Sequence, residues 1–391
     1  MIGAVPLGAI AVSLVAPPHA TATTAPRADT TQYPHFTRVV LLEPAGATSA
    51  NVSVGDLDGD GHLDLVLAKG RHWPLVNKVL FGDGHGGFTP ARDLDSVADR
   101  SYSGHLADLD GDGDLDIVIS NDRPDPKRTY LNDGTGHFHE GSTFGHPEWP
   151  TRNATVADVN GDGLPDIVVA NRYGGRPGAN YVCLNRGAGQ FDAGCSAFSH
   201  ESATTITAAD FNGDGAIDLA VPHRDGGQSY IYFNDGTGTF SAHDRKPFGP
   251  SDAAIRMAEV GDLDHDGLLD MVAIDQLHGV FIYFGRRGAT FGPGITVGDS
   301  GSVPYALAVS DVNADGATDI VVGYVGASSI VYFNDGSGRR FTPVPLGDTA
   351  GTAYGFAITD LDEDGHPDIA VARSGAPNAV YFAAPPSRPS Q

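Results

Sequence analysis

The chain has 391 residues, with 52 Gly and 26 Pro, two Cys and a formal charge of −25. Length alone suggests two or three domains unless the sequence repeats internally. The negative charge argues against nucleic acid and anionic membranes as partners.

At the N-terminus, Ile2 to Val15 is an apolar run followed by Pro17, Pro18 and the small-residue stretch Ala20-Thr21-Ala22. This reads as an export signal over 1–22, too short to be a bilayer-spanning anchor. No Lys or Arg precedes the run, so where the signal begins is left open. A disordered leader over 23–33 and a secreted or cell-surface location are expected. The two cysteines, Cys183 and Cys195, flank a turn at Asn185 to Gly189. Export makes a local disulfide the favoured reading over two buried thiols.

The next element is Phe36 to Leu42, whose meaning emerges from the repeats downstream of it. From Asp56 the loop Asp56-Leu57-Asp58-Gly59-Asp60-Gly61-His62-Leu63-Asp64 begins a motif whose first Asp recurs at Asp108, Asp158, Asp210, Asp262, Asp311 and Asp360, in steps of 52, 50, 52, 52, 49 and 49. Such spacing indicates tandem duplication. Before each loop runs a period-two strand such as Asn51-Val52-Ser53-Val54-Gly55, with small residues on one face. After it comes a continuous apolar run such as Ile167-Val168-Val169-Ala170, a strand buried on both faces. A third strand ends in a hairpin signal such as Asn132-Asp133-Gly134. A fourth strand starts at a Phe: Phe88, Phe138, Phe191, Phe240, Phe291 or Phe341.

Four antiparallel strands in about 50 residues make a propeller blade, so the expected fold is an all-β, seven-bladed β-propeller over 34–383, with a disordered tail over 384–391. The seventh repeat stops at its third strand, Ala379 to Phe382, while Phe36 stands twenty residues before Asp56, as Phe88 does before Asp108. The Phe36–Leu42 strand is therefore expected to complete the last blade and remove two open edges. An open β-solenoid would not leave complementary half-blades at its two ends.

The Asp-x-Asp/Asn-x-Asp-Gly-x-x-Asp loop carries chemistry. Alternating oxygen ligands suit a hard cation, Ca²⁺ before Mg²⁺, which retains more of its water. The expected side-chain ligands are Asp56, Asp58, Asp60 and Asp64; Asp108, Asp110, Asp112 and Asp116; Asp158, Asn160, Asp162 and Asp166; and Asp210, Asn212, Asp214 and Asp218. The last three loops offer Asp262, Asp264, Asp266 and Asp270; Asp311, Asn313, Asp315 and Asp319; and Asp360, Asp362, Asp364 and Asp368. Gly occupies position six in every loop, where a sharp turn needs positive φ. Loops with Asn160, Asn212 or Asn313 carry less charge and should bind more weakly. Seven structural Ca²⁺ would move the formal charge from −25 to about −11.

This motif resembles the FG-GAP/VCBS repeat family, whose relatives include the propellers of integrin α-chains, and the likeness runs from Phe36 to Phe382. It implies a seven-bladed ring with calcium between the strands of each blade. It leaves function open, since the family includes adhesion modules, lectins and polysaccharide-cleaving enzymes.

Strand order puts the calcium loops and hairpin turns on one face and the starts of the first strands on the other, around the channel mouth. Six residues before each first Asp stand Ala50, Tyr102, Arg152, Thr204, Arg256, Tyr305 and Tyr354. Thirteen after it stand Lys69, Asn121, Asn171, His223, Asp275, Tyr324 and Arg373, with Arg71, His72, Trp73, Arg123, Arg172, Tyr173 and Arg224 nearby. Arg takes carboxylates bidentately, and aromatic faces stack on sugars. Lys69, Tyr102, Arg152, Arg172, His223, Arg256, Tyr305, Tyr354 and Arg373 are thus candidate ligands for an anionic extracellular glycan, or for a surface protein. Against this stands the plain reading that surface loops are polar anyway. His105 and Glu259 replace the small residue three places before the Asp and, with Tyr102, are the candidate acid–base groups. Three functions remain open: a carbohydrate-binding or adhesion module, a polysaccharide lyase acting on uronates, and a passive protein scaffold. A monomer is expected.

Overall fold

A computed structural model describes residues 32–191, 194–298 and 301–384. The expected signal (1–22), most of the leader and the tail beyond Ala384 lie outside the described residues. The leader expected to reach residue 33 ends sooner, because Tyr33 is buried and stacks on Phe333 at 4.5 Å between ring centroids.

The chain forms seven four-stranded antiparallel sheets, with one small extra hairpin and no helix among the described residues. Blade 1 comprises Ser49–Gly55, Asp64–Lys69, Lys78–Leu80 and Arg92–Asp93. Blades 2 to 6 repeat that order outward from the channel. Blade 7 takes Thr352–Thr359, Asp368–Ser374 and Ala379–Ala384 from the end of the chain and His35–Leu41 from its start. Val39 lies opposite Tyr381, and Leu41 opposite Ala379. The ring closes as the two half-blades require.

The second strands are buried along their length, as in Asp166–Asn171 and Asp319–Tyr324. Their apolar residues, with those of the flanking strands, form seven clusters, one between each pair of neighbouring blades. The core is therefore a ring of interfaces, and no blade buries its faces alone.

Two local details depart from the expected pattern. The outer strand begins at its Phe in blades 2, 4 and 6. In blades 1, 3 and 5 it starts later, at Arg92, Ser196 and Ile295. Pro90 and Pro293 follow the Phe in blades 1 and 5 and have no N–H for the ladder. In blade 3 the corresponding segment carries the Cys183–Cys195 disulfide. The second detail is a latch between blades. Asn132, Asn185, Asn234 and Asn334 each donate through Nδ2 to a carbonyl in the preceding blade's acidic loop, at 2.6–2.8 Å. The sequence pattern assigns these asparagines to turns alone.

Candidate functional site

The acidic loops are built alike. Asp56 accepts from the N–H of Gly59 (2.8 Å) and of Gly61 (3.0 Å), which folds the loop round its own first carboxylate. Gly61 needs φ = 89° to do so. The last Asp is fully buried and bridges two segments: Asp64 accepts from Leu57 N and from Gly82 N, both at 2.8 Å. Burial pushes it up to about 6, against the lowering by those two hydrogen bonds. The same pattern recurs in all seven blades, reaching about 7 at Asp319.

The loops divide by their third position. Where it is Asp, three carboxylates converge within 4.8 Å, as in Asp56–Asp58–Asp64, Asp108–Asp110–Asp116, Asp262–Asp264–Asp270 and Asp360–Asp362–Asp368. In three of these four loops an oxygen of the third-position Asp (Oδ1 of Asp58, Asp264 and Asp362) is buried with no hydrogen-bond partner. Converging carboxylates with an orphaned buried oxygen fit a divalent cation. Where the position is Asn, the amide is already engaged: Asn160, Asn212 and Asn313 donate to Asp162, Asp214 and Asp315 at 2.8–2.9 Å. To ligate a cation there, the amide must turn its oxygen inward.

The opposite face opens into a cavity of about 550 Å³ lined by the first strands, within the ~300–1,000 Å³ usual for small-molecule sites. Ala50, Tyr102, Arg152, Thr204, Arg256 and Tyr354 of the first expected ring line it, together with Arg71. Planar cations cover the aromatic faces: Arg71 lies 3.7 Å from the Tyr354 ring centroid, Arg152 lies 4.3 Å from that of Tyr102, and Arg256 lies 3.5 Å from that of Tyr305. Tyr305 and Tyr354 meet edge to face at 4.8 Å. The Tyr102 hydroxyl bonds His72 Nδ1 at 3.0 Å, while Trp73, in the same loop as Arg71 and His72, is 70 % exposed. Burial raises the pKa of the Tyr305 hydroxyl, but Arg256, Arg71 and Arg224 outweigh it and hold the group below its ordinary value. For Tyr102 burial wins, and its pKa is raised.

Most of the second expected ring is buried. Lys69 is buried and pairs with Glu43. Arg373 is buried and holds Asp348 (2.9 Å) and the Pro377 carbonyl (2.7 Å). Asn121, Asn171, Asp275 and Tyr324 are buried too, because this position lies beneath the connections that cap each second strand. His223 alone is half-buried, with Nδ1 unpartnered. Arg172 is held by Asp225 at 2.6 Å, and Arg152 by Asp122 at 2.7 Å.

His105 and Glu259 both stand in the channel wall, and solvent there still reaches them. Burial pulls His105 down to about 4 and pushes Glu259 up to about 7. No hydrogen bond or ion pair joins them among the described residues, and His105 Nε2 instead faces Asn153 Nδ2 at 3.5 Å. The small residues they replace tie neighbouring blades together, since Thr155 and Thr207 each donate to a carbonyl of the next blade at 2.6 Å.

Among solved structures, the chain is similar to BBS1N in complex with ARL6DN. The mercury-soaked form has a TM-score of 0.58 at 14% identity, covering 88% of this chain and 98% of that one. The lead-soaked form has a TM-score of 0.61 at 11% identity, covering 92% and 97%. A streptogramin B lyase structure is similar at a TM-score of 0.59 and 13% identity, covering 89% and 98%. At these identities the likeness is one of fold alone. No curated protein matches the chain. FG-GAP-like repeats match residues 56–119, 108–169, 158–221, 210–273, 262–322 and 311–371 in an overlapping series. The matched repeats cover most of the ring, each bounded by its acidic loops, and the chain belongs to the FG-GAP-like repeat family.

Proposed function

We propose that this protein is an exported, calcium-loaded propeller that binds an anionic carbohydrate across its channel mouth. Calcium occupies all seven loops as a structural ion, more weakly in the three that carry Asn. The apolar N-terminal run and the Cys183–Cys195 disulfide support export into an oxidising compartment. One observation carries the ligand reading: in a chain of net charge −25, arginines and aromatic faces gather at the mouth beside the exposed Trp73. Guanidinium forks recognise carboxylates, and an open indole face offers a sugar ring a stacking surface. A glycan array of uronate-containing and neutral polysaccharides tests this, run with calcium, with EGTA and with Trp73→Ala. Binding limited to acidic glycans and lost in the variant supports the reading. Equal binding of neutral glycans, or none at all, refutes it.

A second reading, a uronate lyase, is favoured by Tyr305. Its hydroxyl is held below its ordinary pKa by arginines that could also neutralise a uronate carboxylate, the two requirements for taking a proton beside that carboxyl group. Appearance of ultraviolet-absorbing unsaturated uronate, lost in Tyr305→Phe, would establish it. A panel of uronic polysaccharides without that signal would leave the binding module.

A further inference from the structure

The arginines that line or flank the cavity fall into two classes. Arg152 and Arg172 are neutralised by Asp122 and Asp225. Arg71, Arg224 and Arg256 form no ion pair among the described residues. Two of them also hold unsatisfied donors: Arg71 Nε and Arg224 Nε and Nη1 are buried without an acceptor, whereas Arg256 donates through Nε to the Tyr305 carbonyl at 2.7 Å. Arg224 and Arg256 are each only 8 % exposed. Burial, with neighbouring positive charge, lowers Arg224 to about 10 and Arg256 to about 9. In the wall of the same cavity, Thr204 and Thr205 each hold a buried hydroxyl without a partner.

Buried cations are retained when something neutralises them, and buried donors when something accepts from them. This chain has acidic residues to spare, yet among the described residues none forms an ion pair with these three; Asp225, the carboxylate near Arg224, is taken by Arg172. Two of the three guanidinium groups are also held in place by aromatic rings. Arg71 and Arg256 lie over the Tyr354 and Tyr305 rings, and Arg71 holds a left-handed backbone at φ = 52°, a conformation that persists where the surroundings impose it. Pre-set donors lower the ordering cost of binding.

We propose that Arg71, Arg224 and Arg256 form a subsite for one oxyanion group of a ligand entering the channel mouth, with the Thr204 and Thr205 hydroxyls donating to the same ligand. This rests on the mouth being the binding face and narrows what binds there. In the carbohydrate reading the oxyanion is a uronate carboxylate; a free inorganic oxyanion has the same recognition chemistry.

The test uses the calcium-loaded full chain at constant ionic strength, set with chloride because screening alone would otherwise alter affinity. Glucuronate, glucose and sulfate are titrated calorimetrically into the parent, Arg224→Gln, Arg256→Gln and, as an equal charge change on the calcium-loop face, Arg340→Gln. Glucuronate should bind at least tenfold more tightly than glucose, lose tenfold or more in Arg224→Gln and Arg256→Gln, and be unaffected in Arg340→Gln. Ligand-free Arg224→Gln should also melt at or above the parent temperature, since it removes an unneutralised buried charge. An arginine serving only architecture would lower it. Arg71→Gln, in a surface loop, supplies the binding comparison if Arg224→Gln does not fold. Sulfate binding without glucuronate supports the subsite and refutes the carbohydrate reading. Glycan binding indifferent to the three substitutions does the reverse. Binding of neither anion overturns the proposal.

Discussion

Replacing Glu43 by Ala should weaken the seam where the ring closes. Glu43 stands two residues beyond the closing strand, and its carboxylate accepts from Lys69 Nζ of blade 1 and from Asn378 Nδ2 of blade 7. Both side chains of the ion pair are nearly excluded from solvent, at 4% and 9%. Removing one partner leaves Lys69 charged with only the Ser49 hydroxyl, 3.2 Å away. A broken buried pair costs about 3–5 kcal/mol. Unfolding entropy of about 2.1 cal/mol/K per residue over roughly 350 ordered residues gives ~0.7 kcal/mol/K, so the melting temperature should fall by about 4–7 °C. Calorimetry in saturating calcium reads this shift. The double variant Glu43→Gln/Lys69→Met should recover most of the loss, because no charge is then left buried. A fall below about 1 °C for Glu43→Ala, or no recovery in the double variant, would refute the reasoning.

Glu259 should make stability depend on pH. Its folded pKa of about 7 exceeds the ordinary 4.5, so ionisation is penalised only in the folded state. Parent stability should fall relative to Glu259→Gln as pH rises from about 4.5 to 7, by ~1–3 kcal/mol after allowance for channel water, with a constant gap above pH 7. A gap independent of pH in denaturant titrations would contradict this. Asn212→Asp should tighten cation binding at its loop and Asp58→Asn should weaken it, each by about tenfold in calcium titrations, since the change adds or removes a charged ligand. Opposite or absent shifts would break the division into two loop classes. Reducing Cys183–Cys195 should cost about 2–4 kcal/mol and leave ring closure intact; dissociation of the closing strand, read by hydrogen exchange at 35–41, would contradict a local role.

Much of this architecture was legible in the sequence because repetition exposes it. Seven matched loops give the blade count, and Phe36 at the same offset as Phe88 gives the closure. The acidic loops were legible because each is contiguous and carries its own carboxylates within nine residues. The mouth was legible only in part. Its first ring follows strand periodicity, so Tyr102, Arg152, Arg256 and Tyr354 reach the cavity as spacing requires. Which arginines are free could not be read: the partners of Arg152 and Arg172 come from neighbouring blades, and nothing local to either arginine marks Asp122 or Asp225. The burial of Lys69 and Arg373 was hidden for a related reason. Their charge suggested solvent, yet pairing with Glu43 and Asp348 lets both be buried. The role of Asn132 and its counterparts was hidden because Asn-Asp-Gly is already explained by the turn it makes.

The most direct test of the account is calcium titration of the EGTA-stripped chain, followed by calorimetric melting. If the four loops with three converging carboxylates fill first at a hundredfold excess over their dissociation constants, each adds about 2.7 kcal/mol. Together that is ~11 kcal/mol, or about 15 °C in melting temperature, with further uptake at higher calcium from the three Asn loops. A chain that melts within about 1 °C with and without the ion, or that takes up none, would contradict it.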